Sequence, residues 1–252
     1  MKALYASYRN EADKIILRKK YIVFLLIGAV ICILWAVLGN ALSGFIGQRS
    51  GIFVMLTPSP MGVLPFFLQI MLPLLIFMGA ADLITAEGTE HTMKAMICRP
   101  VTRWKLYAAK LLAVLSYVTL YLVCVFIISA VLNQLFGRPL SSEGFITALA
   151  SYALTIPTLA VLVTFAALMA LLGRSSSLIM FLLVVMYLIM SVLPIFVPIL
   201  SELLFTSYLG WYRLWIGVRP GTSRLVHMLI IVLNYGVVFF MAGSLVFDRK
   251  EY

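Results

Sequence analysis

Glu87 and His91 stand four residues apart in "EGTEHTMKAMICRPVTR", and on a helix they would share a face, the spacing at which a carboxylate and an imidazole can act together on a metal or a proton. A zinc-dependent protease needs two histidines in HExxH with the glutamate as base, and the only other histidine here, His227, falls at the opposite face of the predicted membrane topology. The pair therefore reads as a local contact on a solvated helix, and no metal site is expected. No GxSxG elbow occurs, so a serine hydrolase is not expected either. No GxxxxGK[ST] phosphate loop occurs, so the chain is not expected to hydrolyse ATP by itself, and no catalytic or cofactor-binding residue is assigned. Cys32 and Cys124 fall in apolar runs and Cys98 in the polar stretch, without CxxC spacing, which fits small fillers or a free thiol rather than a disulfide framework.

The elements that would carry these residues are greasy. Hydrophobic residues make up 63% of the chain and charged residues 11%, with a mean hydropathy of +1.10, far from the soluble norm. Apolar runs of spanning length occur at Tyr21–Phe45, Val63–Ile84, Leu106–Leu135, Phe145–Leu172, Ser177–Leu200 and Leu225–Phe247, which predicts six crossings in one transmembrane domain over 1–252. With the N-terminus inside, Lys and Arg divide 14 inside to 5 outside, so both termini are expected in the cytoplasm. The net charge of +10 is then explained by basic loops beside anionic lipid, and no nucleic-acid partner is expected. Ionisable groups within the spans are nearly absent, with Asp82 at the inner end of the second and only Gln69, Asn133, Gln134 and Asn234 adding polarity, which weakens ion-coupled transport.

Three segments lie outside the spans. Residues 1–20 place Leu4, Tyr5, Tyr8, Ala12, Ile15 and Ile16 on one helical face, which predicts an amphipathic interfacial helix. A cleavable signal peptide is the rival reading, but the apolar run that follows is too long and has no convincing cleavage site near Asn40 and Ala41. The external segment 201–224 mixes Trp211, Tyr212 and Trp215 with arginines, as interfacial segments do, and fits either an aromatic belt or a role in substrate exit. The polar stretch, within a cytoplasmic loop at 85–104, pairs Glu90 with Lys94, lines up Met93, Met96 and Ile97 at i, i+3, i+4, and stops at Pro100, before Arg103. It reads as a short amphipathic helix able to rest on lipid or dock into a partner's groove. Prolines at 65, 73, 157, 194 and 198 punctuate three spans.

The order of these features resembles a permease subunit of the ABC-2 type, the membrane half of an ATP-binding-cassette exporter. The basic N-terminal helix runs into the first span, and in "DLITAEGTEHTMKAMICRPVTRWKLYAAK" Glu87, Gly88, Thr89, Thr92, Pro100, Arg103 and Lys110 match the family's loose pattern. The aromatic segment before the last span and the charged tail "FDRKEY" complete the likeness. Glu90 followed by His91 departs from it. The resemblance implies an all-α membrane protein of six transmembrane helices in a bacterial plasma membrane. It implies as partners a cytosolic ATPase subunit, in two copies and holding ATP and Mg, and a second permease subunit, identical or paralogous. It makes Asp82, Glu87, Gly88, Thr89, Met93, Met96, Ile97, Pro100 and Arg103 the ATPase-coupling residues, the loop after the second span being the coupling helix. It associates such permeases with export of amphipathic compounds, antimicrobial peptides among them. The readings from other classes are a non-transporting membrane anchor or sensor that recruits a cytosolic partner, and a membrane enzyme using Glu87 and His91.

Overall fold

The computed structural model describes residues 2–43, 59–86, 102–136, 141–173, 175–197, 199–215 and 222–249, and all of the regular structure among them is helical. The sequence explains it: long runs of Leu, Ile, Val, Ala and Phe, with backbone polar groups that must be satisfied within each segment once water is excluded. Helix α1 covers Lys2–Leu17 and α2 covers Lys19–Ser43. The second apolar run is α3 (Pro60–Phe66), a π-helical stretch at Phe67–Met71, α4 (Leu72–Ala80) and a second π-helical stretch at Ala81–Ala86. Then follow α5 (Arg103–Leu135), α6 (Ser142–Leu172), α7 (Ser176–Phe196), the single turn α8 (Leu200–Leu203), a 3-10 helix at Phe205–Trp215 and α9 (Thr222–Arg249).

Six of these helices are long and apolar enough to cross a membrane, Lys19–Ala41, Pro60–Ala86, Arg103–Leu135, Ser142–Leu172, Ser176–Phe196 and Val226–Arg249, so the chain is a multi-pass membrane protein. They correspond one for one to the six apolar runs. The fifth ends at Phe196, four residues before the run does, and the third is extended to 33 residues by its basic start. Helix starts follow the cap residues: Ser59 accepts a hydrogen bond from the Gly62 amide at 3.2 Å with Pro60 in the first turn, and Ser141 accepts one from Gly144 at 3.1 Å.

The second and fourth spans lie at the centre, 61% buried over their most apolar windows, against 22%, 17% and 11% for the first, fifth and sixth. Those three outer helices present Leu26, Val30, Leu188, Ile189, Leu233 and Val237 outward, faces that suit hydrocarbon rather than water. Phe165 of α6, Phe205 of the 3-10 helix and Phe239 of α9 pack within 5.1–5.6 Å of one another and join these three elements. Hydroxyls along α6 are turned onto its own carbonyls, as with Thr155 on Tyr152 and Thr158 on Thr155, both at 2.7 Å, so they add no unpaired polarity to an apolar interior.

Two tyrosines of α5 fix how closely its neighbours approach. Tyr121 lies with its hydroxyl where a side chain on Gly28 of α2 would begin, and Tyr107 stands in the same relation to Gly243 of α9. Glycine at those two places admits the ring, which is how small residues let helices pack closely in membranes.

One proline of the second span and one of the fifth are matched by hydroxyls from neighbouring elements. Pro73 has no N–H for the carbonyl four residues back, that of Gln69, and the Tyr187 hydroxyl of α7 donates to it at 3.0 Å. Pro194 has none for the carbonyl of Met190, and Thr206 of the 3-10 helix donates there at 3.2 Å.

Candidate functional site

The ionisable side chains that the apolar bundle does bury gather at one end, where α1 joins α2. Glu11 lies on the inward face of α1, three residues after Tyr8 and four before Ile15, and is 1% exposed. One of its oxygens meets Lys14 at 2.9 Å and the other meets Lys110 of α5 at 3.1 Å, and Lys110 is equally buried. A carboxylate and an ammonium out of water must be paired with good geometry, and here each is supplied with the other. Lys110 sits in "YAAKLLAV", an apolar stretch where its charge has no sequence neighbour to meet.

Beside this pair is a second one. Asp82 lies in the π-helical stretch that ends the second span, and its Oδ2 accepts a hydrogen bond from the Tyr21 hydroxyl at 2.8 Å. Lys20 forms an ion pair with the same oxygen, and Arg18 stands 3.6 Å from it. Tyr21 is held in turn by Tyr117 of α5, whose hydroxyl donates to the Tyr21 carbonyl at 2.7 Å and whose ring meets it edge-on at 5.1 Å. Thr85 donates to the Ala170 carbonyl of α6 at 2.8 Å, and Arg103 to the Asp248 carbonyl of α9 at 2.6 Å. All of these contacts lie at the same end of the bundle, and together they join α1, α2, the second span, α5, α6 and α9.

The chemistry open to this cluster is electrostatic. Both carboxylates are already occupied by cationic or hydroxyl donors, which leaves them poorly placed to take a proton from a substrate. Among the described residues no three His, Cys, Asp or Glu side chains come together as metal ligands would. His227 stands near the start of α9, twenty-one residues from Asp248 and so about 30 Å along the helix from the Asp82 end. Cys32 is buried and Cys124 half-buried, both as free thiols.

Of the coupling residues expected from the sequence, Asp82 and Arg103 are in this cluster. Glu87, Gly88, Thr89, Met93, Met96, Ile97 and Pro100 lie outside the described residues, as do His91 and Cys98. Trp211, Tyr212 and Trp215 are on the 3-10 helix, and their side chains are outside the described part. Glu11, Arg18, Lys20 and Tyr21 were not singled out by sequence reasoning. The signal for Glu11 is its place on the apolar face of α1, where an acid demands a partner.

At the other end of the bundle a cleft of about 520 Å³ opens between the second span, α7 and the 3-10 helix. Gln69, Ser191, Thr206 and Ser207 contribute polar groups to it, and both proline-opposed residues, Gln69 and Met190, are in its wall. Gln69 is thirteen residues from Asp82, about 20 Å along the second span, so one element runs from the charged cluster to the polar cleft.

No curated protein matches the chain. A family model described as "Protein of unknown function (DUF2705)" matches residues 53–252, which takes in the second to sixth spans, Asp82, Lys110 and the polar cleft, while Glu11 and Tyr21 precede it. With well over half of its length inside that match, the chain belongs to the DUF2705 family.

Proposed function

We propose that this chain is the membrane permease subunit of an ATP-binding-cassette exporter of the ABC-2 type, moving an amphipathic substrate outward with energy supplied by a separate cytosolic ATPase. The observation that carries the reading is the cluster at Asp82. This residue closes the second span immediately before the polar stretch Glu87–Arg103, and through Tyr21, Lys20 and Arg18 it is tied to the junction of α1 and α2. A push on the stretch is thereby delivered to the first and second spans together, and through Lys110 and Glu11 to α1 and α5. The second span carries two π-helical stretches and, past its first residue, two prolines, Pro65 and Pro73, the kind of backbone in which a displacement at one end can become a change of shape at the other. The polar cleft at Gln69 and Tyr187 is where that change would act on a substrate path. In this reading the Asp82 end faces the cytoplasm, ATP and Mg belong to the partner, and a second permease subunit covers part of the outward apolar surface.

The test is purification of the full chain in mild detergent together with the product of an adjacent ATPase gene, followed by ATPase assay in nanodiscs. Stoichiometric co-purification is expected. Asp exchanged for Met93 and Ile97 should abolish stimulation of the ATPase by the permease. A chain that is stable alone, binds no ATPase and loses nothing on that exchange would sink the proposal. An anchor or sensor would instead keep the partner while tolerating substitutions in the cleft.

A further inference from the structure

Along the junction of α1 and α5 runs a furrow that neither the charged cluster nor the polar cleft uses. One part, about 460 Å³, is walled by Leu4, Tyr5 and Tyr8 of α1 and by Leu112, Leu115 and Thr119 of α5. A second part, about 210 Å³, continues it past Ala12, Ile16, Ala113 and Leu120, and the two share Tyr8 and Ser116. The floor looks polar in sequence but not in structure. Ser116 donates to the Ala113 carbonyl at 2.9 Å and Thr119 to the Leu115 carbonyl at 2.8 Å, so both hydroxyl protons are engaged on their own helix. What remains is a long channel, apolar apart from the hydroxyls of Tyr5 and Tyr8, with rims of Tyr5, Ile16, Leu112 and Leu120, each more than 40% exposed.

The charge beside the channel is positive. Arg9 follows Tyr8 by one residue and Tyr5 by four, which by helix geometry sets it at the outer rim of the furrow, and it is exposed. Of the other cations of α1 and its junction with α2 whose side chains are described, Lys14 is engaged with Glu11, and Lys20 and Arg18 with Asp82, while Lys19 is exposed without an ion pair among the described residues. Arg9 has no such ion pair among the described residues, and the acid nearest on its side, Asp13, is exposed and carries no ion pair there either.

We propose that the furrow is a binding site for one acyl chain of an anionic phospholipid, with the lipid's phosphate on Arg9. A chain without hydrogen-bonding groups suits a channel whose floor hydroxyls are already engaged, and a phosphate suits the unpaired Arg9 at its rim. The inference is independent of the exporter reading, because it concerns lipid binding by this chain alone.

The full chain is reconstituted in phosphatidylcholine nanodiscs containing a trace of lipid with a photoactivatable diazirine in one acyl chain, carried on phosphatidylglycerol in one arm and on phosphatidylcholine in the other. Cross-linked peptides are mapped by mass spectrometry. The phosphatidylglycerol probe should label residues 4–16 and 112–120 about fivefold more than the phosphatidylcholine probe, the value of one arginine at a membrane surface. Arg9→Gln should remove that preference, and Arg249→Gln, at the exposed end of α9, should leave it intact. Equal labelling by the two probes, equal loss in the two variants, labelling elsewhere only, or chain-to-chain cross-links through the furrow would each overturn the proposal.

Discussion

Glu11 and Lys110 are the residues whose removal the bundle should feel most. Each is buried, and each is the charge the other meets across the seam of α1 and α5, so taking away one weakens the compensation of a charge out of water, at a cost of up to about 3–5 kcal/mol. Glu11→Gln and Lys110→Met should each lower the thermal midpoint measured in detergent, and the double variant Glu11→Leu with Lys110→Met should recover most of the loss. A double variant no better than the singles would mean that the pair is not the source of the effect. Gly28 gives a second test at this scale. Alanine there meets the Tyr121 hydroxyl, a group with no hydrogen-bond partner among the described residues. Gly28→Ala should therefore destabilise by about 1–3 kcal/mol, as overpacking does, and Tyr121→Phe, which removes the closest atom but leaves the ring carbon at 2.7 Å, should recover only part of the loss. At this scale the sequence is half legible. Asp82 announces itself as an acid at the end of an apolar run, but its partners are sixty residues upstream and no spacing rule reaches them. Glu11 is visible only when α1 is read as a buried face rather than as a helix resting on lipid.

At the scale of elements, the six apolar runs give the six spanning helices to within a few residues, because lipid-length apolarity leaves the backbone no other choice. What the runs do not show is the π-helical winding of the second span, or the hydroxyl donors that other helices bring to its carbonyls. Tyr187 is the clearest of these donors. Tyr187→Phe strands the Gln69 carbonyl and should cost about 1 kcal/mol in the detergent midpoint, the usual size of such bonds between membrane helices. Pro73→Ala in the same chain restores an N–H to that carbonyl, so the double variant should be more stable than Tyr187→Phe alone. If Pro73→Ala does not rescue it, the bond is incidental to the proline. Thr206→Val on the 3-10 helix and Pro194→Ala on α7 form the corresponding pair, and the same order of stabilities is expected.

For the whole molecule, charge distribution rather than packing predicts which end faces the cytoplasm, and it does so from sequence alone. In a variant lacking Cys32, Cys98 and Cys124, a cysteine introduced at Arg249 should be blocked only by a membrane-permeant thiol reagent, and one at Ser142 by an impermeant reagent added to intact cells. The reverse pattern would invert the molecule and remove the basis for the coupling proposal. The long helix α5 carries one more consequence. Its outward apolar residues run from Leu112 to Leu135, about 35 Å of helix, against a hydrocarbon core of about 30 Å. That mismatch is small and can be met by leaning, and any lean would then depend on how thick the surrounding bilayer is. Because α5 also holds α1 through Lys110 and α2 through Tyr117, the leaning cannot be confined to one helix. Thin bilayers should tip the whole charged end of the bundle, and thicker ones should set it upright.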